Sequence, residues 1–241
     1  MARKPRSTRN ARPPTGGAAS GSESSEKSAR ERIIQSFMEL LAEKPIEEIG
    51  LTEIAQRAHT SLAELRGMFA STLAMLAGHV KEIDQQVLAS EDADMTEELP
   101  RERLFDELMR RLELLEPRKA AVRSLLRSCR RNPGLAFALN GLAVRSQQWM
   151  LEAAGIDAAG PRGMARAQGL AVLFVSVLRT WVQDEDRGHA RTMAALDRAL
   201  ARGQRLSGLL DELCRIPQLV GRSRRRRRRS ETGPDEETAA A

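Results

Sequence analysis

The stretch LTEIAQRAHTSLAELRGMFAST, residues 51 to 72, gathers side chains that could do non-covalent chemistry on a polyanion. Thr52, His59, Ser61, Arg66 and Thr72 carry donors suited to phosphate oxygens or base edges, with Leu62 and Ala63 beside them. Each also has a plainer structural role. Thr52 is placed to cap one short helix and Ser61 to cap a second. Glu64, three residues after Ser61, completes a capping box, so it is not read as a base contact. His59 suits a solvated turn. Arg66 is the best single candidate for a phosphate or base contact.

Covalent chemistry is poorly provided for. The three histidines, His59, His79 and His189, are widely separated, and no Ser or Cys elbow, glycine-rich phosphate loop or zinc spacing accompanies them. No enzymatic activity, cofactor or metal is expected. WVQDEDRGH sets three acids near His189, which suits the acidic N-terminal flank of a last helix better than a metal site. Cys129 and Cys214 read as ordinary thiols of a reducing compartment.

The elements that position these residues are helices. The chain is rich in Ala, Leu and Arg, with 3% aromatic residues and no Tyr. That composition favours an all-α protein. Residues 1–27 are Arg-, Pro-, Gly- and Ser-rich and are expected to be disordered. SARE at Ser28 reads as a capping box opening a helix, with Ile33, Ile34, Phe37, Leu40 and Leu41 on one face and Pro45 enforcing its end. Two short helices follow, then a longer one to about Ala89. The acidic SEDADMTEELP reads as a joint. Further helices are expected at about 101–116, 118–131, 133–154, 161–184 and 187–213. The domains are therefore 28–90 and 101–214, between tails 1–27 and 215–241.

The charge sits in the tails. The chain is +6 overall, but each tail is +4 and residues 28–214 come to −2. Between Gly50 and Thr72 the ionised residues are Glu53, Arg57, Glu64 and Arg66, a net of zero. Arg224 to Arg229 is a strong electrostatic feature suited to DNA, RNA, acidic protein or anionic lipid. Membrane contact through it is not favoured. No run of eighteen apolar residues and no secretory signal is present, so a cytoplasmic protein is expected.

Residues 28–90, through RIIQSFMELLAEKPIEEIGLTEIAQRAHTSLAELRGMFASTLAML, resemble the DNA-binding domain of the TetR family of transcriptional regulators. Ile54-Ala55, Ala58, Ser61, Leu65, Phe69 and Leu76 carry the match. The resemblance implies an N-terminal three-helix helix-turn-helix domain on a C-terminal helical bundle. It implies double-stranded DNA as partner, a homodimer through the two closing helices, and control by a small apolar effector. The family usually has Gly where His59 stands, an aromatic where Arg66 stands and Lys where Thr72 stands. RLFDELMRRLELLEPRKAAVRSLLRS and LRTWVQDEDRGHARTMAALDRAL are also similar to TetR-fold lipid-binding accessory proteins of ubiquinone biosynthesis. That likeness implies an alternative, presentation of a lipid or isoprenoid. Phe137, Trp149, Phe174, Trp181 and Met193 are the candidate pocket residues for either kind of apolar ligand, and at helical spacing they also suit plain core.

Overall fold

In a computed structural model of the chain, residues 18–89 and 98–205 are described, with side chains from Lys27 onward. Among them there are helices and turns and no strand. Helix α1 spans Ala18–Glu43, and a short 3-10 turn at Ile46–Glu48 leads into α2 (Leu51–Arg57), α3 (Leu62–Met68) and α4 (Thr72–Ala89). The second half holds α5 (Pro100–Leu115), a 3-10 turn at Glu116–Arg118, α6 (Lys119–Arg131), α7 (Pro133–Ala153) and α8 (Gly160–Trp181). A ninth helix, α9, begins at 190 and is described to 205. Residues 90–97 of the acidic joint, the last residues of the expected 187–213 helix, Cys214 and Arg224–Arg229 lie outside the described residues.

Two expected helix starts are corrected. α1 begins at Ala18, ten residues before the Ser28 box. No proline stands between Pro14 and Pro45, and lengthening a formed helix gains one hydrogen bond per residue fixed. Weak formers such as Ser and Gly are carried on that account. Thr52 does not cap α2. The N-cap is Gly50, with no side-chain cap bond, and Thr52 lies exposed in the first turn. Elsewhere the signals act as expected. α1 stops two residues before Pro45. Asn132 caps α7 by accepting from the Leu135 amide at 3.0 Å, with Pro133 opening the helix. Asp184 accepts from the Thr192 amide at 2.9 Å and hydroxyl at 2.6 Å, securing the first turn of α9. Those bonds hold its carboxyl below its usual pKa.

The apolar residues form two cores. The head core joins Ile33, Phe37 and Leu41 of α1 with Ile54, Leu65, Phe69 and Met75. The body core joins Ile83 and Val87 of α4 with Leu108, Met150, Phe174 and Trp181. Burying each such side chain contributes about 1.5–3 kcal/mol before entropy is counted. α4 belongs to both cores, so the head cannot turn without moving a helix that the body grips. α6 also crosses the divide. Its Ala121 is buried in the head core, and Leu125, Leu135 and Leu139 pack against that core from the body side.

A buried polar cluster sits where α4 passes into the body. Arg111 of α5 lies 2.8 Å from Asp84 of α4 and donates to Ser146 of α7 at 2.5 Å. Ser146 donates in turn to Asp84 at 2.8 Å, and the guanidinium stands 5.5 Å from the Phe174 ring centre on α8. Burial pulls the Arg111 pKa down, and the Asp84 carboxylate opposes that pull.

Candidate nucleic-acid interface

α2 and α3 are joined by a turn whose backbone is fully specified. The Thr60 amide donates to the Ala55 carbonyl at 3.0 Å and the His59 amide to the Gln56 carbonyl at 3.2 Å. This is a Schellman ending, and it requires a left-handed residue between the helices. His59 is that residue, with φ 50°. Ala58 and Ala55 are buried beneath the turn, small enough to let the helices cross closely. α3 then opens on a complete capping box. The Ser61 hydroxyl accepts from the Glu64 amide at 3.1 Å, and Glu64 accepts from the Ser61 amide at 2.9 Å. The Thr60 hydroxyl adds a bond of 2.8 Å to the same carboxylate. These bonds, the Ser61 amide first, hold the Glu64 carboxyl below its usual pKa.

Leu65 and Phe69 fix the inner face of α3 in the head core, and Arg30 of α1 stands 4.5 Å from the Phe69 ring centre. Outside lie Leu62, Ala63, Arg66 and Gly67, all exposed, together with the capping-box Glu64. Thr72 opens α4 half-buried, close in sequence to the end of α3. Two other cations near the motif are engaged. Arg57 makes a forked pair with Glu43 at 2.5 and 3.0 Å, and Lys44 pairs with Glu53 at 2.5 Å. Arg66 is therefore the uncommitted cation of residues 50–72.

Among the solved structures similar to this arrangement, two are matched over most of the chain as follows. A TetR transcriptional regulator from Nitrosomonas europaea ATCC 19718 is matched at TM-score 0.57 and 23% identity, over 73% of this chain and 97% of that one. The fold is that of the TetR regulators. A TetR transcriptional regulator from Rhodococcus sp. RHA1 is matched at TM-score 0.53 and 22% identity, over 74% of this chain and 97% of that one. No protein-family model and no curated protein matches the sequence.

Within the TetR fold, six of the seven residues expected at a DNA surface divide into three groups, and the seventh is the half-buried Thr72. Leu62, Ala63 and Arg66 share the outward part of α3. Ser61 is occupied as a cap by its bonds to Glu64. His59 and Thr52 are exposed, the first shaping the turn and the second in the opening turn of α2. Sequence patterning did not reveal the Glu43–Arg57 and Lys44–Glu53 pairs. Their partners lie 14 and 9 residues apart, so no short helical spacing announces them.

The candidate pocket residues lie on three helices. Phe174 and Trp181 are buried on α8 in the body core, where Lys119 stands 5.0 Å from the Trp181 ring centre. Phe137 is 81% exposed and Trp149 58% exposed, both on α7. Met193 is exposed on α9 and borders an open surface groove with Glu102, Phe105, Asp106 and Asp197. The five residues do not converge, because helical spacing alone does not say which face a neighbouring helix covers. Cys129 is half-buried, with burial pushing its thiol pKa up. Among the described residues there is no cluster of potential metal ligands and no helix long and apolar enough to cross a membrane.

Proposed function

We propose that the protein is a DNA-binding transcriptional regulator that works as a homodimer. The observation that carries this reading is the outward face of α3. Leu62, Ala63, Arg66 and Gly67 are held toward solvent by a capped helix start and a fixed turn, the geometry by which a second helix enters the major groove. Selection of bound fragments from a genomic library, followed by titration against the selected and random duplexes, tests it. Equal affinity for both at low salt sinks the proposal.

Dimerisation is part of the reading. Asn140 of α7 and Gln168 of α8 exchange amide hydrogen bonds of 2.9 and 3.0 Å. α7 and α8 are joined by a short loop and run antiparallel, so Phe137 and Val172 fall at one level beside that pair. Val172 is 60% exposed, and Met164 is exposed on the same helix. An apolar face of that kind suits a twofold contact between copies. Val172→Asp should then shift the sedimenting species from dimer to monomer.

Effector control, in this reading, acts through α4. A ligand that moved the body around Asp84 and Val87 would tilt the helix that carries Thr72 at its other end. No finding favours the alternative of a lipid-presenting accessory protein.

A further inference from the structure

α6 spends its cations unevenly along its length. Lys119, at its start, donates to the Asp184 carbonyl at 2.7 Å and to Glu116 at 3.0 Å. Arg123 donates from Nε to the Val182 carbonyl at 3.1 Å. Those two hold the loop between α8 and α9. Arg127, Arg130 and Arg131, in the last turns, are exposed and make no hydrogen bond or ion pair with any described residue.

That end of α6 is fastened to the head. Ser124 donates to the Lys44 carbonyl at 3.2 Å, and Ser128 donates to Glu47 Oε2 at 2.9 Å. Glu47 lies in the 3-10 turn that runs directly into α2. In a helix-turn-helix the first helix crosses the DNA backbone, so the approach to its N-terminus lies beside phosphates. The region between Gly50 and Thr72 has no net positive charge to offer them. Ser128, between Arg127 and Arg130 in the sequence, donates to Glu47, and Glu48 next to Glu47 is exposed. α6 itself carries no acid, so its last turns are purely cationic. Interaction of the arginines with the α6 dipole accounts for Arg130 and Arg131 at the last turn but less for Arg127, one turn further in.

We propose that Arg127, Arg130 and Arg131 form a second phosphate-binding surface, gripping the duplex backbone that flanks the reading helix. The proposal rests on the DNA-binding reading above. It puts part of the backbone affinity on the body instead of the motif.

The test titrates the full-length protein with a fluorescein-labelled random-sequence duplex over a series of potassium chloride concentrations. In the R127Q/R130Q/R131Q variant, the slope of log affinity against log salt should become shallower by about two to three. Affinity should fall by a similar factor for every duplex, leaving sequence preference unchanged. The R127K/R130K/R131K variant should keep the steep slope. R127Q alone, away from the helix end, should lose about one unit of slope. An unchanged slope in the glutamine variant, with steep binding by the unaltered chain, overturns this proposal and leaves the DNA reading standing. No salt-dependent duplex binding by the unaltered chain overturns both. A slope lost on single-stranded RNA but not on duplex would assign the arginines to RNA and overturn the proposal.

Discussion

Asp84 Oδ1 and Arg111 Nη1 lie 2.8 Å apart in the interior, at the level where α4 leaves the head core and enters the body core. Both side chains are almost fully buried. A pair of this kind stabilises little against an apolar replacement, but breaking it strands a charge. Arg111→Met should cost about 3–5 kcal/mol in urea denaturation. Asp84→Leu combined with Arg111→Met should recover most of that loss. If the double variant is no more stable than the single, the pair is not what the cost came from.

His59 occupies a backbone conformation that favours glycine. A left-handed residue with a Cβ carries a penalty of roughly 1–2 kcal/mol, partly offset because glycine is freer in the unfolded chain. His59→Gly should therefore raise stability by about 0.5–1 kcal/mol, and His59→Val should lower it by about 1–2 kcal/mol. Thermal melts of the two variants in opposite directions would bear this out. A lower melting temperature for His59→Gly would show that the imidazole makes a compensating contact.

His79 is buried on α4, and its Nε2 has no hydrogen-bond partner among the described residues. Burial first, then the charges of Arg118 and Arg111, push its pKa down from 6.5 to about 4. The unfolded chain therefore binds a proton at His79 that the folded chain refuses. Stability must fall as pH drops through 6.5 and keep falling to about pH 4, by roughly 2–3 kcal/mol in all. Above pH 7 the residue contributes no slope. His79→Gln should flatten the stability profile between pH 6.5 and 4.5. An unaltered profile would mean that His79 gains its proton inside the fold.

If the protein binds DNA as proposed, Arg66 and Thr72 should separate two kinds of contact. Arg66 is exposed on the reading face, so Arg66→Ala should lower affinity for a selected duplex by about 1–3 kcal/mol and relax its sequence preference. Thr72 begins α4 beside that face, where the resembled family usually has Lys. Thr72→Lys should tighten all duplexes together and steepen the salt slope by about one. A Thr72→Lys variant that changed sequence preference alone would contradict the geometry.

The scaffold was legible in the sequence because local rules govern it. Pro45, Asn132-Pro133 and Gly155 end or begin helices through their own backbones, and Ser61 with Glu64 closes a box within four residues. The start of α1 was misread because a capping box also fits inside a longer helix when nothing upstream forbids extension. Thr52 lost the capping position to Gly50 by two residues, within the usual ambiguity of a short helix end. How the pocket candidates sit relative to one another was not legible, for a different reason. Whether Phe137 faces a ligand, a partner or water depends on where α8 lies, and periodicity along α7 holds no information about that. The Asp84–Arg111–Ser146 cluster was invisible for the same reason, since its members come from three helices.

The head core takes Ala121 from α6 and rests against Leu125, Leu135 and Leu139. The first four helices are therefore not a detachable cassette. Cut away after α4, they would present a greasy cleft where α6 had been, and the excised piece should melt broadly or aggregate. Grafting this reading unit onto a foreign body would require carrying the inner surface of α6 and the start of α7 along with it. The boundary that matters for inheritance and for engineering thus runs through the body, some forty residues beyond the acidic joint.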